Sequence, residues 1–94
     1  MVTNKRIETN KFMKNLYKRY KDRIEYYNKK GELHRENNQP AVHYFDGNDF
    51  YFVNGKLHNE KGPAITWWDN SSEFYLNGKR LKDKFEHRKL TQGW

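Results

Sequence analysis

The stretch "FYFVNGKLHNEKGPAITWW" at residues 50–68 decides the fold, because most of it repeats a unit that begins with "GELHRENNQPAVHYF" at residues 31–45. The pairs matched at a spacing of 24 are Gly31/Gly55, Leu33/Leu57, His34/His58 and Glu36/Glu60. The pairs matched at a spacing of 23 are Pro40/Pro63, Ala41/Ala64, Val42/Ile65, Tyr44/Trp67, Phe45/Trp68 and Asp46/Asp69. Asn77 and Gly78 begin a third, truncated copy. Such regularity is typical of one supersecondary element stacked on itself.

Each unit has the pattern of a β-hairpin. Asp46-Gly47 and Asn54-Gly55 separate short apolar runs, and Asn-Gly is the strongest local signal for a hairpin turn. An antiparallel meander is therefore predicted, opened by a strand from "RIEYYN" at 23–28. Alternation assigns one set of pairs to the buried face: Val42/Ile65, Tyr44/Trp67, Tyr51/Phe74 and Val53/Leu76. It assigns the other set to the opposite face: Ala41/Ala64, His43/Thr66, Phe50/Glu73 and Phe52/Tyr75.

Both ends of the chain have helical patterns. Over residues 9–22, apolar side chains fall on one arc of a helical wheel: Phe12, Met13, Leu16, Tyr17 and Tyr20. Lysines fall on the opposite arc: Lys11, Lys14, Lys18 and Lys21. Near the C-terminus, Asp83 and Glu86 have the spacing of a capping box, and Phe85 with Leu90 predicts a short helix packed on the sheet.

The expected architecture is one α+β domain spanning residues 1–94. It comprises a basic amphipathic helix at 9–22, β-hairpin repeats at 24–82, and a short helix with a tail at 83–94. Only 34% of residues are hydrophobic but 17% are aromatic, so the core must consist largely of rings. The absence of cysteine excludes disulfide and thiolate chemistry. The N-terminal residues do not resemble a signal peptide, and "FYFV" at 50–53 is too short to cross a bilayer, so a soluble cytoplasmic protein is expected.

Charge is segregated along the chain. The net charge is +7, and residues 1–30 hold ten Lys/Arg against three acids. Residues 31–76 hold three against seven, and residues 77–94 hold six against two. A mildly acidic repeat region between two basic ends indicates a polyanion partner, although basic runs are also common on solvated helix faces.

The phrase "NGKLHNEKGPAI" resembles the hairpin repeats related to MORN motifs, in the variant with a G-x-L-H-x-E-x-G-P-A signature. The second copy matches almost fully, whereas the first has Gln39 where glycine is expected. The resemblance covers about 28–81 and implies a β-hairpin array of a kind found in phage, large-virus and bacterial proteins. In size and charge the chain is also similar to small T-even-type phage proteins that bind RNA and inhibit host toxin–antitoxin ribonucleases. That similarity implies an anti-defence role in the host cytoplasm.

The recurring His-x-Glu pairs have two interpretations. His34 with Glu36 and His58 with Glu60 could gather around zinc. The favoured interpretation is structural, since a polar pair beside a turn can satisfy backbone groups there. No metal site, catalytic residue or cofactor is therefore predicted. A less favoured hypothesis is a ribonuclease that uses the unrepeated His43 and His87 with lysines.

Binding without catalysis fits the composition best, with RNA as the expected partner and little sequence preference. The predicted nucleic-acid-binding residues are Lys11, Lys14, Lys18, Arg19, Lys21, Lys79, Arg80, Lys82, Lys84, Arg88 and Lys89. The two clusters could form one positive surface, and Phe52, Trp68 and Tyr75 could stack on unpaired bases unless they pack internally.

The alternative hypothesis is a protein-interaction module that clamps an acidic host protein, such as a ribonuclease toxin, without nucleic acid. Open sheet edges would also allow a homo-oligomer. No membrane partner is predicted.

Overall fold

The computed structural model describes residues 16–93, which form ten short β-strands and one α-helix. The first six strands are β1 (Tyr17–Arg19), β2 (Arg23–Tyr26), β3 (Val42–Tyr44), β4 (Asp49–Phe50), β5 (Phe52–Val53) and β6 (Lys56–Leu57). The remaining elements are β7 (Ile65–Thr66), β8 (Ser72–Glu73), β9 (Tyr75–Leu76), β10 (Lys79–Arg80) and α1 (Lys84–Gln92).

All paired strands are antiparallel. Six of them form one sheet in the order β1-β2-β3-β4-β7-β8, and the pairs β5-β6 and β9-β10 form two-stranded sheets. Antiparallel hairpins followed by one C-terminal helix confirm the α+β prediction at this level. Within residues 16–93, no helix has both the length and the apolar character that spanning a bilayer requires.

The helix predicted over 9–22 is wrong for its described part. Tyr17–Arg19 is strand β1, which pairs with β2 in the register Tyr17↔Tyr26 and Arg19↔Ile24. The Tyr17 and Tyr26 rings lie 5.7 Å apart. Cross-strand ring contacts favour a strand, and a short apolar segment fits either period. Residues 9–15, including Lys11 and Lys14, lie outside the described residues.

The same Asn-Gly turn occurs in the β5-β6 and β9-β10 hairpins. Asn54 and Gly55 have φ of 50° and 83°, and Asn77 and Gly78 have 50° and 84°. Both residues of such a turn need positive φ, which asparagine and glycine tolerate best. The Gly55 N–H donates to the Leu33 carbonyl at 2.8 Å, and the Gly78 N–H donates to the Leu57 carbonyl at 2.8 Å. Each turn is thus bonded to the preceding hairpin in the same way.

The buried apolar core of residues 16–93 consists of small and aliphatic side chains, so the expectation of a core made largely of rings is wrong. Ala41 and Ala64 are fully buried, and Val42, Ile65 and Leu81 are nearly so. The expectation that the face of Ala41 and Ala64 is less buried than the face of Val42 and Ile65 is therefore wrong.

The assignment of Phe50 and Glu73 to the opposite face is also wrong. The register aligns Phe50 with both Val42 and Ile65, and aligns Glu73 with Ile65. Directly aligned residues in a sheet share a face, so Phe50 and Glu73 lie on the face of Val42 and Ile65.

The C-terminal helix α1 is confirmed, with the predicted cap. The Asp83 side chain accepts hydrogen bonds from the N–H groups of Phe85 and Glu86, and Gly93 ends the helix with φ of 76°. The buried side of α1 is formed by His87, whose ring lies 5.1 Å from that of Phe74. Its Nε2 lies 2.7 Å from the Asn59 carbonyl oxygen, which joins the helix to the loop after β6.

Candidate nucleic-acid interface

The C-terminal basic cluster is the densest group of exposed cations in the described residues. Two members lie on β10, one follows it, and three lie on α1. All six side chains are exposed: Lys79, Arg80, Lys82, Lys84, Arg88 and Lys89. A two-stranded hairpin and the helix after it therefore bring all the predicted C-terminal binding residues into one segment, residues 79–89.

The two acids in this segment accept backbone hydrogen bonds at the N-terminus of the helix. Asp83 Oδ1 accepts from the Phe85 N–H at 3.1 Å and the Glu86 N–H at 3.0 Å. Glu86 Oε1 accepts from the Lys82 N–H at 2.6 Å. Both carboxylates lie at the helix N-terminus, where negative charge is favoured. They cap the helix there, and the segment keeps an excess of positive charge.

Arg80 of this cluster has an acidic partner outside the segment. Arg80 Nε lies 3.6 Å from Glu73 Oε1, and the Arg80 side chain is 68% exposed. An exposed ion pair of this length contributes little to stability. Arg80 can therefore exchange Glu73 for another anion at small cost.

The N-terminal basic cluster lies at the opposite edge of the six-stranded sheet. Its described members, Lys18, Arg19 and Lys21, are exposed, and the first two belong to edge strand β1. Five strand spacings separate β1 from β8, or roughly 24 Å, and the β9-β10 hairpin comes after β8. Across residues 16–93 the two basic clusters are therefore separate surfaces and do not form one.

The exposed rings differ from those expected. Of the three predicted stacking residues, Trp68 is 71% exposed, whereas Phe52 and Tyr75 are half-buried. The sequence assigned Tyr17 to a buried stripe and Phe85 to the packed side of α1, but they are 60% and 59% exposed. A helical wheel places His87 on the side of α1 opposite Phe85, but it does not determine which of the two sides packs against the hairpins.

The two recurring histidines each bind the next Asn-Gly turn. His34 Nδ1 accepts from the Asn54 N–H at 2.9 Å, and His58 Nδ1 accepts from the Asn77 N–H at 2.9 Å. An imidazole that accepts at Nδ1 carries its proton on Nε2. His34 Nε2 lies 2.6 Å from Glu36 Oε2, so it donates to that carboxylate. The equivalent His58–Glu60 distance is 3.5 Å.

This geometry gives the His-x-Glu pairs a structural role. Each histidine satisfies a backbone N–H of the following hairpin, while its glutamate orients the ring from the other side. Within residues 16–93, no three side chains of His, Cys, Asp or Glu are grouped to hold a metal ion.

The residues that follow these histidines differ between the copies. Asn59 Nδ2 donates to the Pro63 carbonyl at 2.8 Å and Asn59 Oδ1 accepts from the Lys61 N–H at 2.8 Å, which closes the loop of the second copy.

In the first copy Arg35 donates to the Pro40 carbonyl at 3.3 Å, and its guanidinium lies 3.7 Å from the Tyr26 ring centre. The longer first loop contains Asn37 and Asn38 at positive φ. Arg35 therefore has a structural role in the first loop.

The unrepeated histidines do not lie together. His43 Nδ1 lies 2.5 Å from Asp49 Oδ1 on the neighbouring strand, and its side chain is 44% exposed. His87 is 6% exposed and lies on the buried side of α1. The ribonuclease hypothesis requires both histidines to approach RNA, and the burial of His87 contradicts this requirement for one of them.

A charged network stabilises the first hairpin. Glu25 accepts from Arg23 Nε at 2.7 Å and from the Tyr27 hydroxyl at 2.5 Å. Desolvation raises the pKa of Glu25, but the hydrogen bonds from Tyr27 and Arg23 outweigh it and lower the pKa below its usual 4.5. The hydrogen bond to Glu25 also raises the pKa of Arg23. Arg23 is thus held by carboxylates, and its guanidinium lies 4.0 Å from the Tyr20 ring centre.

The geometry divides the cations into two kinds. Arg23 and Arg35 are held by carboxylate or carbonyl groups, whereas the side chains of the C-terminal basic cluster are exposed, with Arg80 also paired to Glu73. Comparisons of the chain with models of protein families, with curated protein sequences and with solved structures found no match. The case for function therefore depends on the geometry and charge of this interface.

Proposed function

We propose that the protein is a small, non-enzymatic RNA-binding protein that holds phosphates with its basic ends. The observation that carries the proposal is the C-terminal basic cluster, in which six exposed cations surround two acids committed to capping α1. Such a surface attracts a polyanion, and the counterions released on binding supply affinity with little sequence preference.

RNA is favoured over duplex DNA by the exposed rings. Phe85 projects from the C-terminal basic cluster, and Tyr17 projects from the strand that carries Lys18 and Arg19. Aromatic side chains beside cations suit unpaired bases, which duplex DNA does not offer. The N-terminal basic cluster would be a second phosphate-binding surface on the same molecule.

The hairpins would serve as a rigid spacer between these surfaces. We assign them to tandem 23–24-residue repeats, because the hydrogen bonds recur along the chain. The Tyr26 N–H donates to the Ala41 carbonyl at 2.7 Å, and the Tyr51 N–H donates to the Ala64 carbonyl at 2.7 Å. The link to MORN-like repeats and to a phage protein that counters a host ribonuclease toxin rests on the resemblance alone.

The first test is whether nucleic acid accompanies the purified protein. A high A260/A280 ratio at low salt, lowered by nuclease or by high salt, is expected. Protein that elutes free of nucleic acid and binds no RNA oligonucleotide at low salt would contradict the proposal.

A charge-reversal pair then locates the surface. Lys84→Glu with Lys89→Glu should weaken RNA binding at least tenfold, since two phosphate contacts become repulsions. The two substitutions lie at opposite ends of α1, so their effects on the helix dipole oppose each other and stability should change little. Lys29→Glu with Lys30→Glu is the matched control in an exposed turn outside both clusters. Equal losses in the two double variants would mean that only net charge matters.

The alternative function is a module that clamps an acidic protein. The same exposed cations favour it, because carboxylates can replace phosphates as their partners. A purified protein that binds no RNA at low salt but retains an acidic protein through Lys84 and Lys89 would establish this alternative.

A further inference from the structure

The outer side of α1 combines an exposed ring with cations. A shallow groove of about 420 Å³ is lined by Lys82, Asp83, Phe85, Glu86, Lys89 and Leu90. Phe85 and Leu90 are each 59% exposed. His87 holds the other side of the helix against Phe74 and Asn59, so Phe85 cannot turn inward without undocking α1.

Three ammonium groups and two carboxylates lie around the groove. Lys82 and Lys89 lie at its border, and the Lys84 ammonium lies 5.6 Å from the Phe85 ring centre. Asp83 and Glu86 accept backbone hydrogen bonds at the helix N-terminus. The groove therefore offers an apolar floor bordered by three ammonium groups and by two carboxylates that already accept backbone hydrogen bonds, and its small excess of positive charge complements a flat apolar group linked to an anion.

An unpaired nucleotide has this composition. Its base can stack on an aromatic ring and its phosphate can contact a neighbouring ammonium group. Trp68, the exposed ring among the three predicted stacking residues, lies next to Asp69 in the acidic part of the chain, so we do not assign it to the RNA-binding surface. Phe85 is the exposed ring placed within the C-terminal basic cluster.

We propose that the Phe85 groove binds one unpaired RNA base by stacking, with its phosphates on Lys82 and Lys89. This inference rests on the proposed RNA-binding function and adds a substrate class: single-stranded segments bind more tightly than duplexes. A paired base is covered by its neighbours and cannot reach the ring. The preference should not depend on base identity, because every base has a π-face.

Two variants and two RNAs test the inference. Phe85→Leu keeps an apolar side chain but removes the ring, and Trp68→Leu is the matched control, which removes an exposed ring outside the cluster. Each variant and the wild type would be titrated with a fluorescein-labelled ten-nucleotide oligo(U) and with a blunt RNA duplex of ten base pairs. Phe85→Leu should weaken oligo(U) binding by about 5- to 100-fold and leave duplex binding within about twofold, and Trp68→Leu should change neither.

The outcomes separate the inference from the proposed function. If the wild type binds neither RNA, the proposed function fails. If it binds both and Phe85→Leu binds oligo(U) like the wild type, the stacking site is wrong while RNA binding stands. Equal losses for Phe85→Leu and Trp68→Leu would also overturn the groove. Sedimentation of the wild type and of Phe85→Leu provides a further check. If the wild type is a dimer and Phe85→Leu is a monomer, the groove is an interface between two copies and the inference is wrong.

Discussion

The hairpins use His34, His58 and Arg23 for contacts within the fold, whereas the C-terminal helix leaves its lysines exposed. In the hairpins, His34 and His58 bond to backbone groups of the following turn, and Arg23 bonds to Glu25. At α1 the acids bond to the helix backbone, while Lys84 and Lys89 stay exposed. His34 and His58, which recur in the two units, therefore have a structural role, and the candidate binding residues on α1 lie after the last unit.

This difference predicts that stability and RNA binding can be changed by separate substitutions. Substitutions of hairpin polar residues should change the free energy of unfolding, whereas substitutions of exposed α1 cations should change RNA binding. His87 is the exception on α1, because it is buried and holds the helix in place. The predictions below begin with that residue.

The largest effect is expected for His87→Ala. The change removes the ring from Phe74 and leaves the Asn59 carbonyl without its hydrogen bond. A loss of about 2–3 kcal/mol is expected in urea unfolding. Leu90→Ala, at an exposed position of the same helix, should cost less than about 0.5 kcal/mol. Comparable costs for the two would show that His87 does not dock α1.

The next effect is expected for His34→Ala and His58→Ala. Each change leaves an Asn-Gly turn N–H without its acceptor, and a cost of about 1–2 kcal/mol is expected for each. His43→Ala, which alters a more exposed ring, should cost less than about 0.5 kcal/mol. NMR of the imidazoles should show the proton of His34 and His58 on Nε2. A proton on Nδ1 would contradict the turn-bracing role.

Glu25→Gln should have a smaller, pH-dependent effect of about 1 kcal/mol at pH 7. Because hydrogen bonds lower the pKa of Glu25 in the folded protein, its stabilisation is fully present above about pH 4.5. It is lost as the pH falls through the lower folded-state value. The difference in unfolding free energy between wild type and variant should therefore shrink below pH 4.5. A difference that grows on acidification would contradict the assigned network.

The smallest effect on stability is expected for Asp83→Ser. Serine also caps helices, so the free energy of unfolding should stay within about 0.5 kcal/mol, whereas Asp83→Ala should cost about 1 kcal/mol. Removing the carboxylate should tighten RNA binding by about two- to fivefold. Weaker RNA binding by Asp83→Ser at unchanged stability would indicate that the carboxylate contacts the ligand.

Local chemistry made some elements predictable. Asn54-Gly55 and Asn77-Gly78 form the turns that their φ preferences indicate, and Asp83 caps α1 as its position before the helix suggests. The burial of Val42 and Ile65 also follows from alternation. In each case the decisive interaction lies within a few residues of sequence.

Elements that depend on distant contacts were not predictable. The face of Phe50 depends on strand register across the turn after β3, which alternation within one strand does not determine. Strand β1 depends on pairing with β2, and the outward direction of Phe85 depends on His87 occupying the packed side of α1. The separation of the two basic clusters follows from strand order, which charge along the sequence does not specify.

The most direct test of the central claim is the salt dependence of RNA binding. For oligo(U), log K against log salt concentration should be linear, with a slope of about −0.7 for each phosphate contact. Lys84→Glu with Lys89→Glu should make the slope shallower by about 1.4, since two contacts are lost. Lys29→Glu with Lys30→Glu should leave it unchanged. Identical slopes for the wild type and the α1 double variant would contradict the assignment of the phosphate-binding surface to the C-terminal basic cluster.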